Sequence, residues 1–317
     1  MRKIRLYITI LIVIIKACFS ASNAAADKVS VFVSIVPQKY FVQQIGKDLV
    51  DVQVMVQPGA SPHTYEPKPR QMAALSKTRI YFAIGVAFED VWLGKIAATN
   101  QAMKIIHTDH GIAKIPMADH HHENEESEHH EKDEHSKEDA HDQEANTQHE
   151  DSHEHGQLDP HIWLSPPLVM TQARTILNAL QEIDPAHRIA YAANYRAFLL
   201  ELADLDLELN GIFAGKHGQE FMVFHPAWGY FAHTYGLRQI PVEIEGKSPK
   251  PAQLKALIEH ARENAVTILF AQPQFSAKSA ELIAREIGGQ VVFADPLAED
   301  WQANLRKLAN NFKAALR

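Results

Sequence analysis

Four side chains in this chain carry metal-binding chemistry at places a layered α/β fold can bring together: His63, His161, His225 and Asp295. His63 lies in the Pro/Gly-rich stretch PGASPHTYEPKP, and His161 in LDPHIWLSP, ahead of a helical pattern. His225 closes the strand-like run EFMVFH, and Asp295 closes QVVFAD. Three imidazoles and a carboxylate make a tetrahedral set for zinc, with Zn–N distances of about 2.0–2.1 Å. Neutral imidazole suits an ion of that borderline softness. Four protein ligands leave no place for an activated water, so the chemistry is binding and not hydrolysis. Without Asp295 a water takes the fourth place and that argument weakens. Glu66, close to His63, is a substitute ligand or an orienting partner. Gaps of 98, 64 and 70 residues separate the four ligands, so spacing alone says little. Each has an ordinary alternative: a surface loop histidine for His63 and His161, a helix-start residue for His225, a turn residue before Pro296 for Asp295.

A second concentration of ligand chemistry runs from Asp119 to Gly156 and holds ten of the chain's 19 histidines. Between 119 and 155 stand fifteen Asp/Glu and two Lys, a net charge of −13; the whole chain carries −8, so the remainder is about +5. The acidity belongs to this insert, and the rest shows no basic stripe of the kind that binds nucleic acid. With almost no apolar residues the insert cannot offset its ordering entropy, and disorder is expected. A mobile chain loses entropy when it wraps an ion, so its many His/acid sites should each be weaker than a preformed one. The insert ends five residues before His161, and a short tether gives effective concentrations on the order of mM. The expected role is to capture zinc and pass it on, or to sense its excess. The alternative is a solvated loop that binds metal incidentally. His107, His110, His187, His217, His233 and His260 receive surface or core roles; of these His233, eight residues past His225, stands closest to the set.

Positioning these residues falls to alternating elements. The 317 residues are 46% hydrophobic, enough for one large core or two modest ones. Strand patterns fall at 29–36, 51–57, 79–85 and 103–108, then at 220–225, 238–244, 266–272 and 290–296. Helical patterns fall at 38–46, 68–78, 165–183, 251–264, 276–288 and 298–316. Asp184-Pro185 opens a further helix to about 213, roughly 40 Å long at about 1.5 Å per residue. The reading is α/β: an N-terminal lobe over 27–184 that contains the insert, a linking helix over 185–214, and a C-terminal lobe over 215–317. Each lobe holds about four parallel strands flanked by helices. Ligands in such sheets bind beyond the carboxyl ends of the strands, so a cleft between the lobes would gather all four.

Residues 1–26 read as a secretion signal: Arg2, Lys3 and Arg5, a short apolar run from Leu6 to Ile15, and small residues at 24–26. A membrane span needs about 20 apolar residues. Cys18 is the only cysteine. It is a candidate lipid anchor, although Lys16 sits badly for one. The mature chain then has neither disulfide nor thiolate, which leaves nitrogen and oxygen as metal ligands.

GASPHTYEPKP, DPHIWLSP, FHPAWGYFAHTYGL, EGKSPKPAQL and QPQFS resemble, in order, the metal-binding solute-binding proteins of ABC transporters, the zinc-uptake branch above all. The resemblance covers about 29–317 outside the insert. It implies two four-stranded α/β lobes joined by one long helix, with the metal between them. It carries His63, His161 and His225 over as imidazole ligands and Asp295 as the carboxylate. A histidine at 225 resembles zinc-binding members, where manganese-binding ones tend to have a carboxylate. Gln272 departs from the pattern, since many relatives have Glu there. The implied function is a periplasmic zinc-binding component that delivers Zn2+ to a membrane permease, as a monomer and not an enzyme. The alternatives are a manganese or iron importer component, a metal-binding adhesin or buffer, and a zinc hydrolase, which lacks an HExxH motif here.

Overall fold

The computed structural model of the chain describes residues 28–117, 158–243, 249–275 and 277–316. Residues 1–26, read above as a signal, Cys18 and the His-rich insert lie outside the described residues. In the first lobe, β1 (Val29–Val33), β2 (Val50–Val54), β3 (Ile80–Ala83) and β4 (Lys104–His107) form a parallel sheet of order β2-β1-β3-β4. The second lobe repeats the plan. There β5 (Glu220–Val223), β6 (Arg238–Pro241), β7 (Ile268–Ala271) and β8 (Gln290–Phe293) pair in the order β6-β5-β7-β8. The central strands are almost wholly apolar, VSVFV in β1 and IYFA in β3. A parallel strand covered by helices on both faces has to be.

Nine helices are described: α1 (Val36–Gly46), α2 (Pro69–Leu75), α3 (Ala87–Thr99), α4 (Pro166–Ile183), α5 (Arg188–Phe213), α6 (Gly229–Tyr235), α7 (Pro251–Glu263), α8 (Ala277–Glu286) and α9 (Trp301–Ala315). Several of their starts are written in the sequence. KPRQ opens α2 and KPAQ opens α7, at the same place in each lobe. Proline takes the first turn, where its missing N–H costs nothing. The glutamine side-chain oxygen then accepts the N–H of Lys68 or Lys250, at 2.9 Å in both helices. In α1, Gln38 Oε1 accepts the Ser34 N–H at 3.0 Å.

The linking helix starts later than its sequence pattern implies: Pro185–His187 form a 3-10 turn and α5 begins at Arg188. Its buried row is Tyr191, Tyr195, Phe198, Leu202, Leu205, Leu209 and Phe213, recurring every three or four residues. This row lies in a single apolar core that also takes in Phe32 and Phe82 of the first lobe and Phe221, Phe270 and Phe312 of the second. A smaller core, with Met222, Leu257, Leu269 and Ile283, belongs to the second lobe alone.

Two further features differ from the sequence reading. Every strand stops one to three residues early, so His225 and Asp295 stand in the loops after β5 and β8 and not in the strands. Helix α3 was not expected. Its large apolar residues, Phe88, Val91, Trp92, Leu93 and Ile96, spread around the helix and form no stripe, with Val91 65% exposed.

Phe312 of α9 ties these pieces together. Its ring centroid lies 4.6 Å from Phe221, 4.5 Å from Phe270, 5.2 Å from Trp228 and 5.5 Å from Phe231. Phe312→Ala is therefore expected to lower unfolding stability by about 3–5 kcal/mol. Denaturant titration with an unchanged slope would show it.

Candidate metal centre

His63 is held by a loop with its own anchors. Tyr65, two residues on, is buried and donates its hydroxyl to Gln71 Oε1 at 2.8 Å. Gln71 Nε2 in turn donates to the Met55 carbonyl at 2.6 Å. The Phe88 N–H donates to the Pro62 carbonyl at 3.2 Å, which ties the loop to the start of α3. His63 itself is half-buried.

His161 stands just ahead of the 3-10 turn Ile162–Leu164 and is 4% exposed. Asp159 fixes it twice: its Oδ1 accepts the His161 backbone N–H at 2.8 Å and the ring Nδ1–H at 2.7 Å. The first bond is a local Asx turn. Asp159 is held from the other lobe, because the Tyr230 hydroxyl of α6 donates to its carbonyl at 3.0 Å. The same hydroxyl accepts the Ile115 N–H at 3.1 Å. Gly229 makes room for the carboxylate, since a Cβ there would lie 2.4 Å from Asp159 Oδ2.

His225 is also 4% exposed. Its ring Nδ1–H donates to Glu243 Oε2 at 2.7 Å. The side chain of Gln272 brackets its backbone: Oε1 accepts the His225 N–H at 3.2 Å, and Nε2 donates to the His225 carbonyl at 2.7 Å. A glutamate at 272 would lack that donor. Phe275 stacks on the imidazole with centroids 4.9 Å apart.

These supports bring three histidines from distant parts of the chain together. One candidate ligand atom of each of His63, His161 and His225 lies within 4.8 Å of the others. With both Nδ1–H groups spent on carboxylates, His161 and His225 keep Nε2 free as an acceptor. His63 Nε2 lies 3.1 Å from His225 Nε2, and must be the donor of that bond. Nitrogens bound to one tetrahedral zinc ion lie about 3.3 Å apart. An ion can thus take the place of the shared proton, with His63 turned to its other neutral tautomer. Pro62, Trp163, Phe275, Pro296 and Leu297 wall the pocket. A larger cleft of about 490 Å³ runs beside β2 and contains none of the three imidazoles.

Asp295 does not join this group among the described residues. Its Oδ1 accepts from Gln274 Nε2 at 2.8 Å and from the Leu297 N–H at 2.9 Å, behind the Pro296–Leu297 wall. Glu66 is exposed and also outside the group, as is the exposed His233. The sequence reading did not single out Asp159, Glu243 or Tyr230. Asp159 had a signal, an Asp-Pro pair two residues before a histidine; Glu243 and Tyr230 had none.

Burial pushes the His63 imidazole down from 6.5 to about 3, and the neighbouring His225 and His161 rings add to this. Burial also lowers His225, against a smaller opposing pull from Glu243. Both are therefore neutral and ready for a cation at neutral pH.

Two parallel-sheet lobes bridged by one long helix, with imidazoles from both lobes at one point, define a metal-binding solute-binding protein. The chain matches the family described as zinc-uptake complex component A, periplasmic, over residues 31–315, and belongs to that family. It is 27% identical over 287 residues to the high-affinity zinc uptake system protein ZnuA of Bacillus subtilis, covering 87% of this chain and 82% of that one. A crystal structure of ZnuA superimposes with a TM-score of 0.77 at 44% identity, covering 91% of this chain and 99% of that one. A zinc-bound deletion mutant of ZnuA does so with 0.77 at 43%, covering 91% and 98%. This is a solute-binding transport family, not an enzyme family.

The lowered His63 value sets a pH dependence. The unfolded chain takes up a proton near 6.5 that the folded site refuses until about 3. The stability from neutral His63 is complete above the first value and lost as pH falls through the second. With a chelator present, the melting temperature is expected to drop as pH is lowered across this window. The drop should be shallower in His63→Ala.

Proposed function

We propose that this chain is the extracytoplasmic zinc-binding component of an ABC importer, which captures Zn2+ between its lobes and delivers it as a monomer to a membrane permease. The observation that carries the reading is the group of three convergent imidazoles, two of them buried and backed by carboxylates. All-imidazole donation suits zinc better than the harder manganese ion, which favours oxygen. Residues 1–26 act as the export signal in this reading, with Cys18 as the alternative lipid anchor. No helix among the described residues is long and apolar enough to cross a membrane. The insert 119–156 serves as an accessory that gathers zinc for the cleft.

His63, His161 and His225 bind the ion. The fourth position belongs to Asp295 if its loop moves inward and releases Gln274 and Leu297, and otherwise to a water molecule. Movement on binding is small in this proposal, because several bonds already join the segment around His161 to the second lobe. Trp163 Nε1 donates to the Pro296 carbonyl at 2.7 Å, and Trp301 Nε1 donates to the Trp163 carbonyl at 2.8 Å. Lys39 pairs with Glu299 at 2.8 Å.

Chelator competition on the mature protein tests the reading. One tight zinc ion is expected to survive removal of residues 119–155. His63→Ala or His225→Ala should abolish it, and Asp295→Ala should weaken it less than either. Loss of all tight binding on removal of 119–155 would move the site to the insert. Probes placed on the two lobes are expected to report the same separation with and without zinc, and a large change would refute the rigid coupling.

A further inference from the structure

We infer that Asp159 and Glu243, which stand behind the imidazoles and not among them, set the preference of this site for a doubly charged ion. The inference rests on the zinc-carrier reading above and adds to it a basis for charge selection. Both side chains are buried, with residue exposures of 0% for Asp159 and 7% for Glu243. Each accepts the Nδ1–H of one ligand histidine at 2.7 Å. Among the described residues, that histidine is the only ion-pair partner either carboxylate has; no Lys or Arg reaches them. Asp159 Oδ2 is buried without a hydrogen-bond partner among the described residues. Buried carboxylates without a cation are costly, and proteins ordinarily pair them or place them at metals.

The three imidazoles that face the ion are neutral donors and bring no charge of their own. The compensating charge comes from behind, through the two rings, where a carboxylate on Nδ1 raises the basicity of the opposite nitrogen. His63 adds nothing to the count: its hydrogen bonds go to Ser61 Oγ and to His225. Asp295 adds none either while it stays on Gln274 and Leu297. Two negative charges then meet a dication at neutrality, and a monocation leaves one of the two buried carboxylates uncompensated. Asp159 and Glu243 are thus positioning residues that fix the tautomers of His161 and His225 and also weigh the charge of the ion.

Asp159→Asn and Glu243→Gln keep size and shape and remove one charge each. Zn2+ and Cu+ are suitable probes, because both have a filled d shell and accept imidazole, and they differ by one unit of charge. The mature full-length protein and both variants would be titrated with each ion against ion-specific chelators, with reductant for Cu+. Each substitution is expected to weaken Zn2+ binding about 10–100-fold and Cu+ binding by about the square root of that factor, because the attraction scales with the charge of the ion, so the Zn2+/Cu+ affinity ratio falls about 3–10-fold. Equal losses for both ions would reduce the carboxylates to scaffolding and overturn the inference, as would no loss for either. The variants lie on opposite sides of the site, so if one does not fold the other decides. Failure of the carrier reading shows separately, as a wild-type protein without a tight zinc ion that depends on His63.

Discussion

His63 and His225 meet in one narrow pocket, where their rings can face each other only while both stay uncharged. Two protonated rings with nitrogens 3.1 Å apart would repel strongly, and burial already penalises the charged form of each. The rest of the site follows from this constraint. Neutral rings need their tautomers fixed, so carboxylates occupy the outer nitrogens of His161 and His225. Those carboxylates need burial without stray cations, so Asp159 sits beneath Gly229 and is tied to Tyr230. His63, the most open of the three, is the ring that can turn and admit an ion.

The two lobes also share one apolar core. The core around α5 runs from Phe32 in one sheet to Phe221 in the other. Trp163, two residues from His161, donates to the Pro296 carbonyl in the opposite wall of the pocket. A hinge wide enough to open the cleft fully would expose this shared core. The architecture favours local adjustment of loops over rigid-body opening.

Much of this was legible in the sequence. The eight strands, the linking helix and the convergence of His63, His161 and His225 all follow from alternating patterns and from histidines at strand ends or proline-stiffened loops. Helix α3 was hidden because its apolar residues surround it and give no period. The strand ends were overshot because runs such as EFMVFH stay apolar after the ladder stops; Phe224 remains buried in the loop. The residues behind the ligands were the hardest to see. Asp159 works through a two-residue turn that its Asp-Pro pair announces, but Glu243 reaches His225 across 18 residues, and no local pattern marks a contact of that kind. Asp295 shows what position leaves out: a carboxylate after a strand stands where a ligand could, and only the structure shows that it accepts from Gln274 and the Leu297 N–H.

Gly229 has a consequence for how natural variation in this chain should be interpreted. It touches no ion and has no side chain to lose, so a survey that scores residues by proximity to the metal would pass over it. Yet even a methyl group there would strike Asp159 Oδ2, and the displacement would pass through Asp159 to His161. A glycine-to-alanine change, among the mildest in the genetic code, would act here like a change to Asp159 itself. Intolerance at position 229 should therefore match that at 159, and patterns of inherited substitution will record the site as larger than its coordination sphere.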